Sequence, residues 1–115
     1  EKIIELALSR NISGIIATNT TNCRPRKDKF FQKGGWSGGS YLDKKSNEII
    51  KFIAKITNNN LPIIGVGGVR DANTAIRKLD LGASLVQLYT SFIYEGPKLP
   101  KKILLGINKR NSWFT

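Results

Sequence analysis

Hydrophobic and polar positions along the chain fall into two alternating patterns. Short apolar runs predict three β-strands, over residues 13–18, 61–69 and 84–89. Apolar residues at helical spacing predict four helices, over residues 1–10, 46–58, 71–81 and 99–109. Three repeats of a strand followed by a helix imply parallel strands with right-handed crossovers. Doubly wound sheets and eight-stranded barrels share this organisation and are normally longer than 115 residues, so we expect part of a larger fold.

The stretch 61–71 is the most informative part of the chain. Its β-branched residues, from Ile63 to Val69, predict a strand that is buried on both faces. Gly67 and Gly68 then break the run, and Asp71 is a good N-cap for the following helix. Glycine amides can approach a ligand closely and a helix N-terminus favours negative charge, so the stretch outlines a phosphate-sized anion site. A tight turn that needs glycine only for its backbone conformation would have the same sequence.

Polar residues follow the first and third predicted strands, at Asn19-Thr20 and at Tyr89-Thr90. Proteins with parallel sheets place ligand contacts at these carboxyl ends, although Asn and Thr also satisfy turns without any ligand. A long loop, over residues 23–41, contains a glycine-rich segment around Ser37 that could wrap a ligand or act as a hinge. A barrel is favoured, because barrel phosphate sites tend to follow the seventh and eighth strands.

Composition narrows the possible partners and chemistry. The net charge of +11, from 19 basic and 8 acidic residues, suggests anionic partners. The densest basic cluster, Arg24–Lys29, lacks interleaved aromatic residues, so we expect a solvated basic surface and no nucleic-acid partner. The chain has no histidine, which excludes Ser-His-Asp and Cys-His catalysis and the common zinc sites within it, and we expect no metal. Cys23 is the only cysteine, so no internal disulfide forms.

Four segments in a fixed order carry a family resemblance: residues 17–21, 34–38, 62–69 and 82–90, the last followed by Glu95-Gly96-Pro97. Together they closely resemble the C-terminal part of class 2 dihydroorotate dehydrogenases, the quinone-linked flavoenzymes of pyrimidine synthesis. The resemblance covers about residues 1–109. It implies an α/β fold, the C-terminal part of a (β/α)8 TIM barrel, in which residues 1–115 form one segment of a single FMN-binding domain with the sixth to eighth strands.

The resemblance also implies roles for individual residues. Asn19 and Thr20 would hydrogen-bond the pyrimidine, dihydroorotate or orotate. The residues expected to contact FMN or its phosphate are Thr18, Ser37, Gly38, Gly67, Gly68, Tyr89 and Thr90. The catalytic base and a flavin-contacting lysine are expected upstream of Glu1, so we expect no catalytic residue in this chain and no activity from it alone. Trp36 and the segment 39–41 depart from the usual family pattern of the glycine-rich loop.

The remaining implications concern partners and location. The family passes electrons to ubiquinone, and we expect peripheral attachment to a membrane surface through an N-terminal segment that precedes this chain. That surface would be the mitochondrial inner membrane or a bacterial cytoplasmic membrane. A piece of a non-redox barrel enzyme that binds a phosphorylated metabolite remains the alternative interpretation of the residues themselves.

Overall fold

A computed structural model describes residues 1–23 and 34–112. In chain order the described elements are α1 (Lys2–Ser9), β1 (Ile15–Ala17), α2 (Gly39–Ile56), β2 (Ile63–Val66), α3 (Ala72–Asp80), β3 (Leu85–Gln87), α4 (Thr90–Glu95) and α5 (Leu99–Ser112). The basic cluster 24–29 lies outside the described residues. Within the described ranges, no helix combines the length and the apolar character that crossing a bilayer requires.

The three strands form one parallel sheet in the order β1-β2-β3. Ile16, Ile64 and Leu85 stand side by side in this register, and Ala17, Gly65 and Val86 form the next row. Because sequential strands are neighbours and are joined through helices, the predicted repeat of strand and helix is confirmed. All three carboxyl ends therefore meet at one edge of the sheet.

Two apolar clusters hold the helices against one face of the sheet. The larger packs α1 and α2 on β1 and β2, and its buried members are Ile4, Ala7, Ala17, Ile50, Ile53, Ala54, Leu61, Ile63 and Ala83. The smaller joins α3 and α5 near the end of β2, and its buried members are Val69, Ala75, Leu99 and Ile103. Burial on this face supplies the hydrophobic stabilisation of the described fold.

In the described part of the chain, the prediction that β2 is buried on both faces holds fully for one face only. Ile63 is completely buried, whereas Ile64 is only half-buried. On the flanking strands, Ile16 is 60% exposed and Leu85 is 61% exposed. The reason is that the described helices pack on one face only, so every second side chain along each strand points to an open face.

The predicted start and inward face of α2 also need correction. The helix begins at Gly39, seven residues before the predicted start at 46, so the predicted loop is shorter. Ile50 and Ile53 are buried, whereas the residues expected to face inward with Ile53, namely Ile49, Ile56 and the adjacent Phe52, are exposed. The buried positions in the first two turns of α2 hold polar residues, so the pattern of apolar residues does not reveal which side of the helix is buried.

The C-terminal part contains one unpredicted element and one explained glycine. The short helix α4 follows β3 directly, where the sequence suggested only a turn. Gly106, which weakens the helix prediction, lies inside α5, and a Cβ there would come within 2.3 Å of the Ala72 Cβ. The glycine therefore allows α5 to approach α3 closely. α5 continues to Ser112, and residues 113–115 lie outside the described part.

Candidate functional site

A cleft of about 590 Å³ lies at the carboxyl ends of the three strands. All the site residues predicted from the sequence line it: Thr18, Asn19, Thr20, Ser37, Gly38, Gly67, Gly68, Tyr89 and Thr90. The cleft thus brings together the segments that follow β1, β2 and β3. The individual roles predicted for these residues remain predictions.

The segment after β1 forms one wall of the cleft. The Thr18 amide donates to the Val66 carbonyl at 3.0 Å, which ties this wall to the end of β2. Asn19 Oδ1 accepts from the Thr20 amide at 2.8 Å, so the turn uses the oxygen of this side chain. The Asn19 side-chain nitrogen remains as a donor that could meet a ligand carboxylate.

The glycine-rich loop is tied back onto this wall. Thr21 and Trp36 pair in an antiparallel bridge, with hydrogen bonds of 3.0 Å and 2.7 Å between their backbones. A Cβ on Gly35 would come within 1.9 Å of Thr20 Oγ1, so only glycine fits there without movement of Thr20. Trp36, which departs from the family pattern, therefore takes part in the bridge through its backbone.

The same loop meets the segment after β3. Thr90 Oγ1 donates to Ser37 Oγ at 2.9 Å. A Cβ on Gly38 would come within 2.9 Å of the Thr90 Cβ, and Gly38 has φ of +76°. The ends of β1 and β3 are thereby connected across the end of β2, which closes one end of the cleft.

The Gly67-Gly68 turn packs directly on the start of α2. Gly67 and Gly68 have φ of +113° and +71°, values that other residues rarely adopt. A Cβ on Gly68 would come within 2.4 Å of the Asp43 Cβ and 2.7 Å of the Gly39 carbonyl oxygen. Backbone conformation and packing therefore explain why glycine is required here, and contact with a ligand is an additional prediction.

The N-terminus of α3 is capped by the side chain of Asp71, as the sequence predicts. Asp71 Oδ1 accepts from the Thr74 amide at 2.8 Å, and Thr74 Oγ1 accepts from the Asp71 amide at 3.1 Å, a complete capping box. The hydrogen bond from the Thr74 amide lowers the pKa of Asp71. A negative charge of the protein itself thus already occupies this helix end.

Two other helices begin at the cleft without such caps. Gly38 and Tyr89 are the N-cap residues of α2 and α4, and neither makes a side-chain capping hydrogen bond. First-turn amides without a capping partner favour an anionic ligand. We therefore expect a preference for negative charge where α2 and α4 begin, beside the Gly67-Gly68 turn.

The structure adds residues that sequence reasoning missed. Ser91 Oγ donates to the Val69 carbonyl and fastens the first turn of α4 to the segment after β2. Arg70 lines the cleft and is the one arginine or lysine among its lining residues; its Nε lies 3.9 Å from Asp71 Oδ2. Arg70 stands where the dinucleotide fingerprint would have its last glycine, the only sequence signal for it.

Among the described residues, no three His, Cys, Asp or Glu side chains could jointly hold a metal ion.

The fold and the cleft together define the class of protein. Parallel strands in sequential order, a cleft at their carboxyl ends and a short extra helix after the last strand are features of a TIM-barrel phosphate site. The family model for dihydroorotate dehydrogenase matches residues 1–110, and the chain belongs to that family. This membership confirms the resemblance and the partial barrel fold inferred from the sequence.

Similar proteins agree with this membership. A dihydroorotate dehydrogenase (quinone) of Christiangramia forsetii is 52% identical over 103 residues, which cover 88% of this chain and 30% of that protein. The corresponding protein of Natronomonas pharaonis is 46% identical over 112 residues, 95% of this chain and 31% of that protein. The chain thus spans about 30% of the length of these curated relatives.

Solved structures show the same likeness. A ligand-free dihydroorotate dehydrogenase of Eimeria tenella superposes with a TM-score of 0.81 at 36% identity, over 88% of this chain and 28% of that one. The complex of that organism's enzyme with ferulenol gives a TM-score of 0.81 at 34% identity, over 94% of this chain and 30% of that one. These structures support the assignment of β1, β2 and β3 to one part of a larger barrel.

Proposed function

We propose that this chain supplies the phosphate end, and part of the substrate end, of a flavin site in an enzyme that oxidises dihydroorotate to orotate. A quinone would accept the electrons, and the reaction belongs to pyrimidine (UMP) synthesis. The observation that carries the proposal is the meeting of three donor-rich segments at one cleft: the starts of α2 and α4 and the Gly67-Gly68 turn. The family membership supports the same conclusion.

The residues of the cleft fit FMN. Backbone amides near Gly38, Gly68 and Tyr89 can bind a dianionic phosphate without a buried lysine, and the Thr90 hydroxyl can join them by turning its proton from Ser37 to the ligand. Thr18, Ser37 and Gly67 line the same cleft and would contact the flavin side. The volume of about 590 Å³ lies within the range of small-molecule sites. When bound, FMN supplies the redox chemistry, and the protein supplies binding and orientation.

Asn19 and Thr20 would hold the pyrimidine. Both are exposed at the wall of the cleft that follows β1. Their amide and hydroxyl groups can donate to the carboxylate and ring carbonyls of dihydroorotate, which fixes the orientation of the ring. We place the proton-accepting base elsewhere in the protein, as the family resemblance implies. The quinone acceptor also makes a membrane surface, mitochondrial or bacterial, the proposed location.

Flavin content and turnover of the full-length protein test this proposal. We expect the purified protein to show a flavin absorbance band and to reduce a soluble quinone only when dihydroorotate is present. Asn19→Ala should raise the KM for dihydroorotate by about tenfold, since one hydrogen bond to a charged group is lost, while flavin content stays unchanged. A protein that binds phosphorylated metabolites but carries no flavin would contradict the proposal and favour the non-redox alternative.

A further inference from the structure

The largest side chain that is completely buried in the described part of the chain is a cation, Lys78 on α3. Its Nζ donates to Asn47 Oδ1 at 2.8 Å, to Asp43 Oδ1 at 3.2 Å and to Ser46 Oγ at 3.2 Å. Burial lowers the pKa of Lys78, and the hydrogen bond and charge of Asp43 oppose that effect. The ammonium is therefore fully paired inside the protein, with three acceptors for its three N–H groups.

Stability alone gives a weak reason for this arrangement. Lys78 and Asp43 form a buried ion pair between α3 and α2. Removing two charges from water costs about as much as their attraction returns, and apolar residues of similar volume often replace such pairs without loss. The geometry that the network imposes on its surroundings is the better explanation.

The network leads directly to the cleft. Ser46 Oγ, which accepts from Lys78, donates to the Val66 carbonyl at 2.6 Å. Val66 immediately precedes the Gly67-Gly68 turn, and its carbonyl also accepts from the Thr18 amide at 3.0 Å. One chain of hydrogen bonds therefore joins α3, α2 and the ends of β2 and β1.

The partners of Lys78 are also the residues on which the glycine turn rests. A Cβ on Gly67 would come within 3.2 Å of the Ser46 Cβ, and one on Gly68 within 2.4 Å of the Asp43 Cβ. Contacts this close mean that any shift of Asp43 or Ser46 moves the turn as well. Lys78 itself does not line the cleft.

We propose that Lys78 is a positioning residue for the phosphate end of the cleft. Its ammonium group holds the side chains of Asp43 and Ser46 in place from the side away from the cleft. Ser46 in turn holds the Val66 carbonyl, which precedes the Gly67-Gly68 turn. The turn and the start of α2 then present their amides in one geometry. This inference rests on the proposed function in that the ligand bound there carries a phosphate, as FMN does and riboflavin does not.

The test compares the affinities of FMN and riboflavin for the flavin-depleted full-length protein, measured by quenching of flavin fluorescence. Ser46→Ala removes the bond to the Val66 carbonyl and one of the three acceptors of Lys78, and it keeps the Lys78–Asp43 pair. We expect it to weaken FMN binding about tenfold, because one hydrogen bond that orients the turn is lost, and to change riboflavin binding less than about twofold. Lys78→Met should weaken FMN binding at least as much.

Thr57→Val is the matched control. Thr57, the C-cap residue of α2, is also buried, but its hydroxyl donates to the Ile53 carbonyl at the end of the helix far from the cleft. It should lower the melting temperature without changing the ratio of the two affinities. If Lys78→Met fails to fold, Ser46→Ala decides; an unchanged ratio in folded Ser46→Ala overturns the positioning role. A wild-type protein that binds riboflavin as tightly as FMN overturns the phosphate site itself, and the positioning role with it.

Discussion

At the scale of single residues, the cleft depends on positions where no side chain fits. Gly68 combines a positive φ of 71° with a position where a Cβ would clash with Asp43 and the Gly39 carbonyl. Gly96 has nearly the same φ, 74°, but nothing lies within 4 Å of the place its Cβ would take. The pair separates the cost of backbone strain from the cost of a steric clash.

We therefore expect Gly68→Ala in the full-length protein to lower FMN affinity at least tenfold, since Asp43 and the turn must move apart. Its overpacking and strain should together destabilise the fold by about 2–6 kcal/mol. Gly96→Ala should show only the strain of a backbone conformation that glycine alone adopts readily, about 1–3 kcal/mol, with normal FMN affinity. Flavin fluorescence titration and urea unfolding measure the two effects. Equal affinity losses in both variants would contradict the assigned geometry.

Asp71 provides a second prediction at this scale, through its cap on α3. Asp71→Ala should destabilise the protein by about 1 kcal/mol at pH 7, because the Thr74 amide loses its acceptor. The pKa of Asp71 is lowered in the folded state. Its carboxylate therefore stabilises the fold fully at pH values above the ordinary pKa of about 3.9. That contribution is lost as the pH falls through the lowered pKa.

Urea unfolding at a series of pH values measures this difference. The deficit of Asp71→Ala relative to wild type should shrink below about pH 4. Asp71→Asn retains a capping oxygen but does not titrate, so it should be less destabilising than alanine at pH 7. A deficit of Asp71→Ala that is constant from pH 7 to pH 2 would rule out the charged cap.

At the scale of elements, the packing of α5 against α3 determines where this last helix lies. The contact is apolar, through Val69, Ala75, Leu99 and Ile103, and Gly106 lies directly against Ala72. Arg110 also donates to both carboxylate oxygens of Asp80, at 3.0 Å and 2.7 Å, but this pair is exposed and contributes little. The contact between Gly106 and Ala72 is therefore where a substitution should affect the packing of α5 most.

Gly106→Ala should destabilise the protein by about 1–3 kcal/mol, although alanine is the better helix former. The cause is the 2.3 Å separation that its Cβ would have from the Ala72 Cβ. Ala72→Gly removes the obstructing atom, so the double variant should recover part of the loss. A thermal or urea unfolding cycle of the four proteins measures the coupling. Additive effects would show that α5 and α3 do not touch at this point.

At the scale of the whole molecule, one face of the sheet carries apolar side chains in the open. Ile16, Ile64 and Leu85 form a continuous row there. In a TIM barrel, alternate side chains of the strands fill the barrel interior in layers, and a row such as this one would belong to one of those layers. The chain spans about 30% of its curated relatives, so the remaining strands would face this row in the full-length protein.

Leu85→Asp tests that arrangement in the full-length protein. An aspartate in the barrel interior would be a buried, unpaired charge, so we expect a loss of about 3–5 kcal/mol of unfolding free energy or failure to fold. Ile49→Asp is the control, because Ile49 is an exposed apolar residue on the outer helix α2. It should cost less than about 1 kcal/mol. Similar stabilities of the two variants would show that Leu85 lies outside the core.

The sequence by itself determined the alternation of strands and helices, the Asp71 cap and the set of residues that meet at the cleft. The alternation and the cap follow from local rules, apolar periodicity and capping chemistry, and the set of cleft residues follows from the family resemblance of four segments together with the placement of ligand contacts at the carboxyl ends of parallel strands. The tertiary structure decided the length and buried stripe of α2, because Asp43, Ser46 and Asn47 are polar residues whose partner Lys78 lies far away in sequence. It also decided that α2 and α4, rather than the capped α3, offer open helix starts to the cleft, since that depends on contacts between segments and not on any one of them.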